Sequence, residues 1–178
     1  MKTARVNYST GSKFFHWLIA FLVICMLSFS FFLDDVKKPY QGTAYMIHKS
    51  VGLSILFLML LRIIWIWYKG RPELPLTVPK WQHYAARTVQ YCFYVFLIVM
   101  PLSGWIFSVA ANHTPSFFGL FKVPLPIAPN KALDEFFEDT HTVIAWILIA
   151  LVVLHVAGAF KHLFIDKDKV VQSMLPGK

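Results

Sequence analysis

Four of the seven histidines in this 178-residue chain, His16, His48, His141 and His155, lie within or at the edges of long apolar runs. Two of them bracket "HTVIAWILIALVVLH", fourteen residues apart from 141 to 155. At about 100° per residue the second ring returns to within roughly 40° of the first, and at about 1.5 Å per residue it lies roughly 21 Å further along the axis. One helix face would then carry an imidazole near each side of a hydrocarbon core about 30 Å thick. A polar ring at such depth is costly unless something occupies it. Imidazole is the commonest metal-ligating side chain, so the chemistry implied is coordination, provided each ring meets a partner at its own depth.

Positioning such rings takes spans, and four runs are suited to it. They are "FFHWLIAFLVICMLSFSFFL" (14–33), "VGLSILFLMLLRIIWIWY" (51–68), "VQYCFYVFLIVMPLSGWIFSVAA" (89–111) and "TVIAWILIALVVLHVAGAF" (142–160). With their flanks they predict helices near 14–33, 48–68, 84–111 and 139–164, long enough to cross a bilayer. Helices meet their backbone hydrogen bonds internally, which a lone strand in lipid cannot do. With 57% hydrophobic and 15% charged residues, residues 1–178 read as a single all-α integral membrane domain, a bundle of four transmembrane helices. The first run is too long for a signal-peptide core, and no small-x-small site follows it before Asp34-Asp35. Pro101 is expected to kink or loosen the third helix, and Gly104 to break it. In the longest connection, "KVPLPIAPNK" reads as an irregular loop and "ALDEFFEDTH" as an early start of the fourth helix. Cys25 and Cys92 sit in separate runs, in neither a CxxC nor a CxxCH pattern, and read as small apolar residues.

Basic residues set the orientation. Lys2, Arg5, Lys13, Lys69, Arg71, Lys80, Arg87, Lys161, Lys167, Lys169 and Lys178 fall on the side of the termini, and Lys37, Lys38, Lys49, Lys122 and Lys131 on the other. That imbalance predicts both termini in the cytoplasm. The formal charge of +8 is thereby an orientation signal between apolar runs, and nucleic acid is not an expected partner.

The topology gives every histidine a depth. His16 opens the first helix from the inner side. His48 and His141 stand at the outer starts of the second and fourth helices, and His155 lies at the inner end of the fourth. The four sort into His16 with His155 and His48 with His141. Two imidazoles from different helices form a metal ligand pair, and two stacked pairs suggest two haems with bis-histidine iron, able to pass electrons between the faces. A tetrahedral zinc site needs more ligands than two histidines per level, although Glu138 and Asp139 beside His141 keep zinc or proton handling open at the outer level. Arg62, fourteen residues after His48, shares its face at the inner level and wants an anion such as a haem propionate. An arginine at that depth costs about 2.5–3.5 kcal/mol on insertion scales, and its rival reading is snorkelling to the surface. Lys49 would serve an outer propionate likewise. Gly52, one turn from His48, and Gly158, near His155, would clear space for a flat macrocycle, with close helix packing as the alternative. His83, His113 and His162 read as surface histidines, His162 being placed to substitute at the inner level.

The segments "FFHWLIAFLV", "MIHKSVGLSILFLMLLRIIW" and "DTHTVIAWILIALVVLHVAGAFKHLFIDKD" resemble the bacterial dihaem cytochrome b561 family over nearly the whole chain. The distinctive elements are H-x3-G-x9-R (His48, Gly52, Arg62) and H-x13-H (His141, His155) with the exit that follows. Many relatives have two adjacent histidines where this chain has Lys161-His162, which weakens a ligand role there. The resemblance implies two non-covalent b haems, ligands at His16, His48, His141 and His155, electron exchange with ubiquinone or a related quinone in the bacterial inner membrane, and in some members oxidation of superoxide with ubiquinone as acceptor. A steered anion would need outer positive charge, yet Asp34, Asp35, Asp134, Glu135, Glu138 and Asp139 offset the outer lysines. The alternative is a haem-bearing anchor that passes electrons to a soluble partner or takes them from a periplasmic donor, since the short loops house no catalytic domain. A second copy of the chain is a further candidate partner.

Overall fold

The computed structural model describes residues 7–70, 72 and 78–175. Lys2, Arg5, Arg71 and Lys178, which enter the orientation argument, lie outside them. Four helices follow one another: α1 (Thr10–Ser30), α2 (Lys38–Lys69), α3 (Lys80–Ala110) and α4 (Lys131–Phe160), the last prolonged by a π-helical turn, Lys161–Asp166. All four are long and apolar enough to cross a membrane.

Local signals explain where the helices begin. The Ser9 hydroxyl caps α1 by accepting from the Ser12 N–H at 3.3 Å. Pro39 sits in the first turn of α2, where its missing N–H costs nothing. Asn130 caps α4 by accepting from the Leu133 N–H at 3.1 Å. The helices therefore begin before the apolar runs, and α4 starts at Lys131. Contrary to the expected break, α3 runs unbroken through Pro101 and Gly104. Neighbouring helices and side-chain hydroxyls make such residues tolerable inside a span.

Close packing runs from α1 to α2, α2 to α3 and α3 to α4. A slender core of Ile19, Val23, Ile55, Met59, Leu97, Ile144 and Leu148 fills the centre. Large apolar side chains such as Phe21, Phe57, Trp146 and Leu154 point outward. An apolar surface of that extent needs a bilayer around it.

Each end of the bundle is tied down. At the end holding the termini, the Tyr8 N–H donates to the Ser173 carbonyl at 3.4 Å. Lys13 Nζ donates to the Leu175 carbonyl at 2.8 Å and Trp17 Nε1 to that of Met174 at 2.9 Å. Lys13 is only 6% exposed, so it binds the C-terminal segment and is not a solvated flanking charge. At the other end residues 123–130 are irregular as expected, and before them Ser116–Phe117 pairs antiparallel with Phe121–Lys122 about a turn with positive φ at Phe118 and Gly119. The fully buried Ser50 hydroxyl accepts from the Phe118 N–H at 2.8 Å and lies 2.7 Å from the Met46 carbonyl. Trp105 Nε1 donates to the Val123 carbonyl at 2.8 Å. The hairpin is thereby clamped to α2 and α3.

Candidate metal centres

The two lengthwise positions on α4 each meet a histidine from another helix. His155 faces His16 of α1 with ring centroids 6.0 Å apart, and His141 faces His48 of α2 at 6.3 Å. A metal–imidazole bond is about 2.0–2.1 Å and a ring centre lies about 1.1–1.2 Å behind its nitrogen, so two rings facing each other across one ion have centroids about 6.2–6.6 Å apart. Both pairs bridge helices outside the closely packed set, α1 with α4 and α2 with α4.

The surroundings of His141 and His48 agree with ligation. His141 Nδ1 lies 3.0 Å from the Met100 carbonyl. An oxygen that only accepts requires the proton on Nδ1, which leaves Nε2 with its lone pair. His48 Nδ1 is buried with no hydrogen-bond partner among the described residues, a cost that an apolar bundle does not otherwise explain. His155 is exposed and flanked by Phe93, 5.5 Å between centroids. A Cβ added at Gly52 or Gly158 would meet nothing within 4 Å, so neither glycine serves close helix packing.

Arg62 is 8% exposed and aims both terminal nitrogens at His16 Nδ1, each at 3.3 Å. It does not snorkel; it stands at the His16–His155 level as a buried cation. Lys49 is half-buried beside His48 and makes no ion pair or hydrogen bond among the described residues. Each level therefore has a cation beside its histidines.

Other histidines fall outside the pairs. His162 Nδ1 lies 2.7 Å from Asp168 Oδ2 and 3.5 Å from Asp166 Oδ2, while Lys161 Nζ holds Asp166 at 2.5 Å. His162 is thus engaged towards the end of the bundle and does not replace His155. This is also the one His/carboxylate group of metal-binding compactness among the described residues, so Glu138 and Asp139 build no such group around His141. His83 stands in the first turn of α3 with Nε2 buried and no hydrogen-bond partner among the described residues, which corrects its reading as a surface residue, whereas His113 is exposed. The contribution of α3 was not foreseen from sequence. The available signal was Ser103, a hydroxyl in an apolar span that needs an acceptor.

Four apolar helices long enough to span a membrane, with two facing imidazole pairs, one towards each end, define a multi-helix membrane protein. Residues 7–177 match the prokaryotic cytochrome b561 family, and the chain belongs to it: a bacterial membrane protein of a family that holds b-type haem. It is 33% identical to cytochrome b561 homolog 2 of Escherichia coli (strain K12) over 173 residues, covering 95% of this chain and 91% of the relative. It is 29% identical to the probable superoxide oxidase CybB of Yersinia pestis over 173 residues, with 97% of each chain covered. Cytochrome b561 homolog 1 of Escherichia coli (strain K12) is 24% identical over 176 residues, covering 96% of this chain and 97% of the relative.

Proposed function

We propose that the chain is a dihaem cytochrome of the bacterial inner membrane that carries electrons between its two faces in exchange with the quinone pool. His16 and His155 would hold one haem, and His48 and His141 the other. Arg62 and Lys49 would meet the propionates, and Gly52 would give clearance. Both termini would face the cytoplasm. Bound haem supplies one-electron redox chemistry, with potentials set by ligand identity, hydrogen bonding and burial. The chain's own part is to fix the rings, exclude water from the apolar gaps and place a cation at each level. The observation that carries the reading is the pair of facing imidazoles at each level, 6.0 and 6.3 Å between centroids, between helices that do not pack closely.

A quinone takes up protons with its electrons, and the hydrogen-bonded His162–Asp168 pair, 2.7 Å apart, stands at the termini end. Likeness to a probable superoxide oxidase supports superoxide as an electron source at the opposite face, with ubiquinone as acceptor. The test is to add ubiquinol, or superoxide with a ubiquinone analogue, to the purified single chain in a stopped-flow spectrophotometer. Reduction of b-type absorption bands by ubiquinol, and quinone-dependent loss of superoxide, are expected. Redox activity that appears only with a co-purifying soluble subunit would instead make the chain a membrane anchor for that subunit.

A further inference from the structure

We infer that α3, which carries none of the four proposed ligands, is the positioning element of the hairpin-end pair, setting the tautomer and ring plane of His141 through the Met100 carbonyl, Ser103 and Gly104. This inference rests on the haem reading above and adds to it residues that decide how His141 binds.

Three observations converge. First, His141 leans directly on the α3 backbone. A Cβ at Gly104 would lie 2.8 Å from His141 Cε1 and 3.0 Å from Nδ1, closer than such contacts allow. Glycine is needed here for the ring's approach, with no unusual backbone angle involved. Second, both polar groups facing Nδ1 are acceptors. The Met100 carbonyl lies 3.0 Å away. The Ser103 hydroxyl lies 3.2 Å away, and its proton is committed to the same carbonyl at 2.7 Å, so it turns a lone pair to the ring. Nδ1 is therefore the protonated nitrogen and Nε2 the ligand nitrogen. Third, the arrangement is enclosed. Ser103 is 1% exposed, and Phe107 closes on the ring edge-on, 5.6 Å between centroids.

The other level differs. There His16 Nδ1 faces the two donor nitrogens of Arg62. A ligating imidazole whose N–H is given to an acceptor is more basic and favours the oxidised metal. The His48–His141 level is thus the one whose potential α3 holds down.

The experiment uses purified full-length chain and its Gly104→Ala, Ser103→Ala and Ser103→Thr variants. Haem content, the two midpoint potentials and the two low-spin electron paramagnetic resonance signals are recorded. Gly104→Ala and Ser103→Ala are expected to raise one potential and move one low-spin signal while leaving the other pair of values in place, and Ser103→Thr to restore both. The inference is overturned if both potentials and both signals stay at wild-type values, or if both levels move equally. Gly104→Ala decides this if it keeps two haems, and Ser103→Ala decides it otherwise. A wild-type chain that binds no haem defeats the reading of the preceding subsection; two haems with unmoved signals defeat this inference alone.

Discussion

Replacing Arg62 by leucine removes a buried positive charge at one level and leaves the other level intact. The guanidinium nitrogens lie 3.3 Å from His16 Nδ1, so a redox centre on that ring's opposite nitrogen stands roughly 7 Å from the charge. At an effective dielectric of about 20, a unit charge at about 7 Å is worth about 2.4 kcal/mol, which is about 100 mV for a one-electron couple. The His48–His141 level is roughly 21 Å away along the axis, where the same charge is worth about 0.8 kcal/mol, or about 35 mV. Potentiometric titration of Arg62→Leu, followed at the b-type absorption bands, should lower one midpoint by about 100 mV and the other by about a third of that. Arg62→Lys should keep most of the wild-type value. Equal shifts at both levels, or an upward shift, would refute the placement of Arg62 beside a redox centre.

Lys49→Met should lower the other midpoint in the same titration, by less than Arg62→Leu does, because Lys49 is only half-buried and its charge is partly screened by solvent. Ser50→Ala strips the Phe118 N–H of its acceptor in a part-buried hydrogen bond, a loss of about 0.5–1.5 kcal/mol. Faster amide exchange across residues 116–122 with unchanged haem content is expected, and exchange at the wild-type rate would show that the clamp is idle. A fluorescent-protein fusion at the C-terminus should fluoresce and an alkaline phosphatase fusion there should be inactive, since both termini are proposed to be cytoplasmic; the opposite pattern would invert the orientation.

Period and depth made much of this molecule legible in its sequence. Apolar runs of transmembrane length marked four helices, and helical phase joined His141 to His155 and His48 to Arg62. These are intrasegment relations, fixed by a rise and an angle per residue. Helix bounds were less legible, because start signals such as the Asn130 cap and Pro39 in the first turn carry α4 and α2 beyond the point where apolar composition ends. Gly104 shows why composition misleads. Read alone it is a helix breaker, yet in the bundle it is a space that the His141 ring fills. What stayed hidden was tertiary: the Met100 carbonyl under His141, the Ser50 clamp on the hairpin, and Lys13 turned inward to the C-terminal segment. Each depends on which distant backbone carbonyl or N–H arrives beside the side chain, and no local pattern encodes that.

The central claim is that each histidine pair holds one haem. Its most direct measurement is the molar ratio of haem b to purified chain in the wild type and in His48→Ala and His155→Ala. Two per chain in the wild type is predicted, with about one lost in each variant. Full haem content in both variants, or a colourless wild-type protein from haem-sufficient cells, would contradict it.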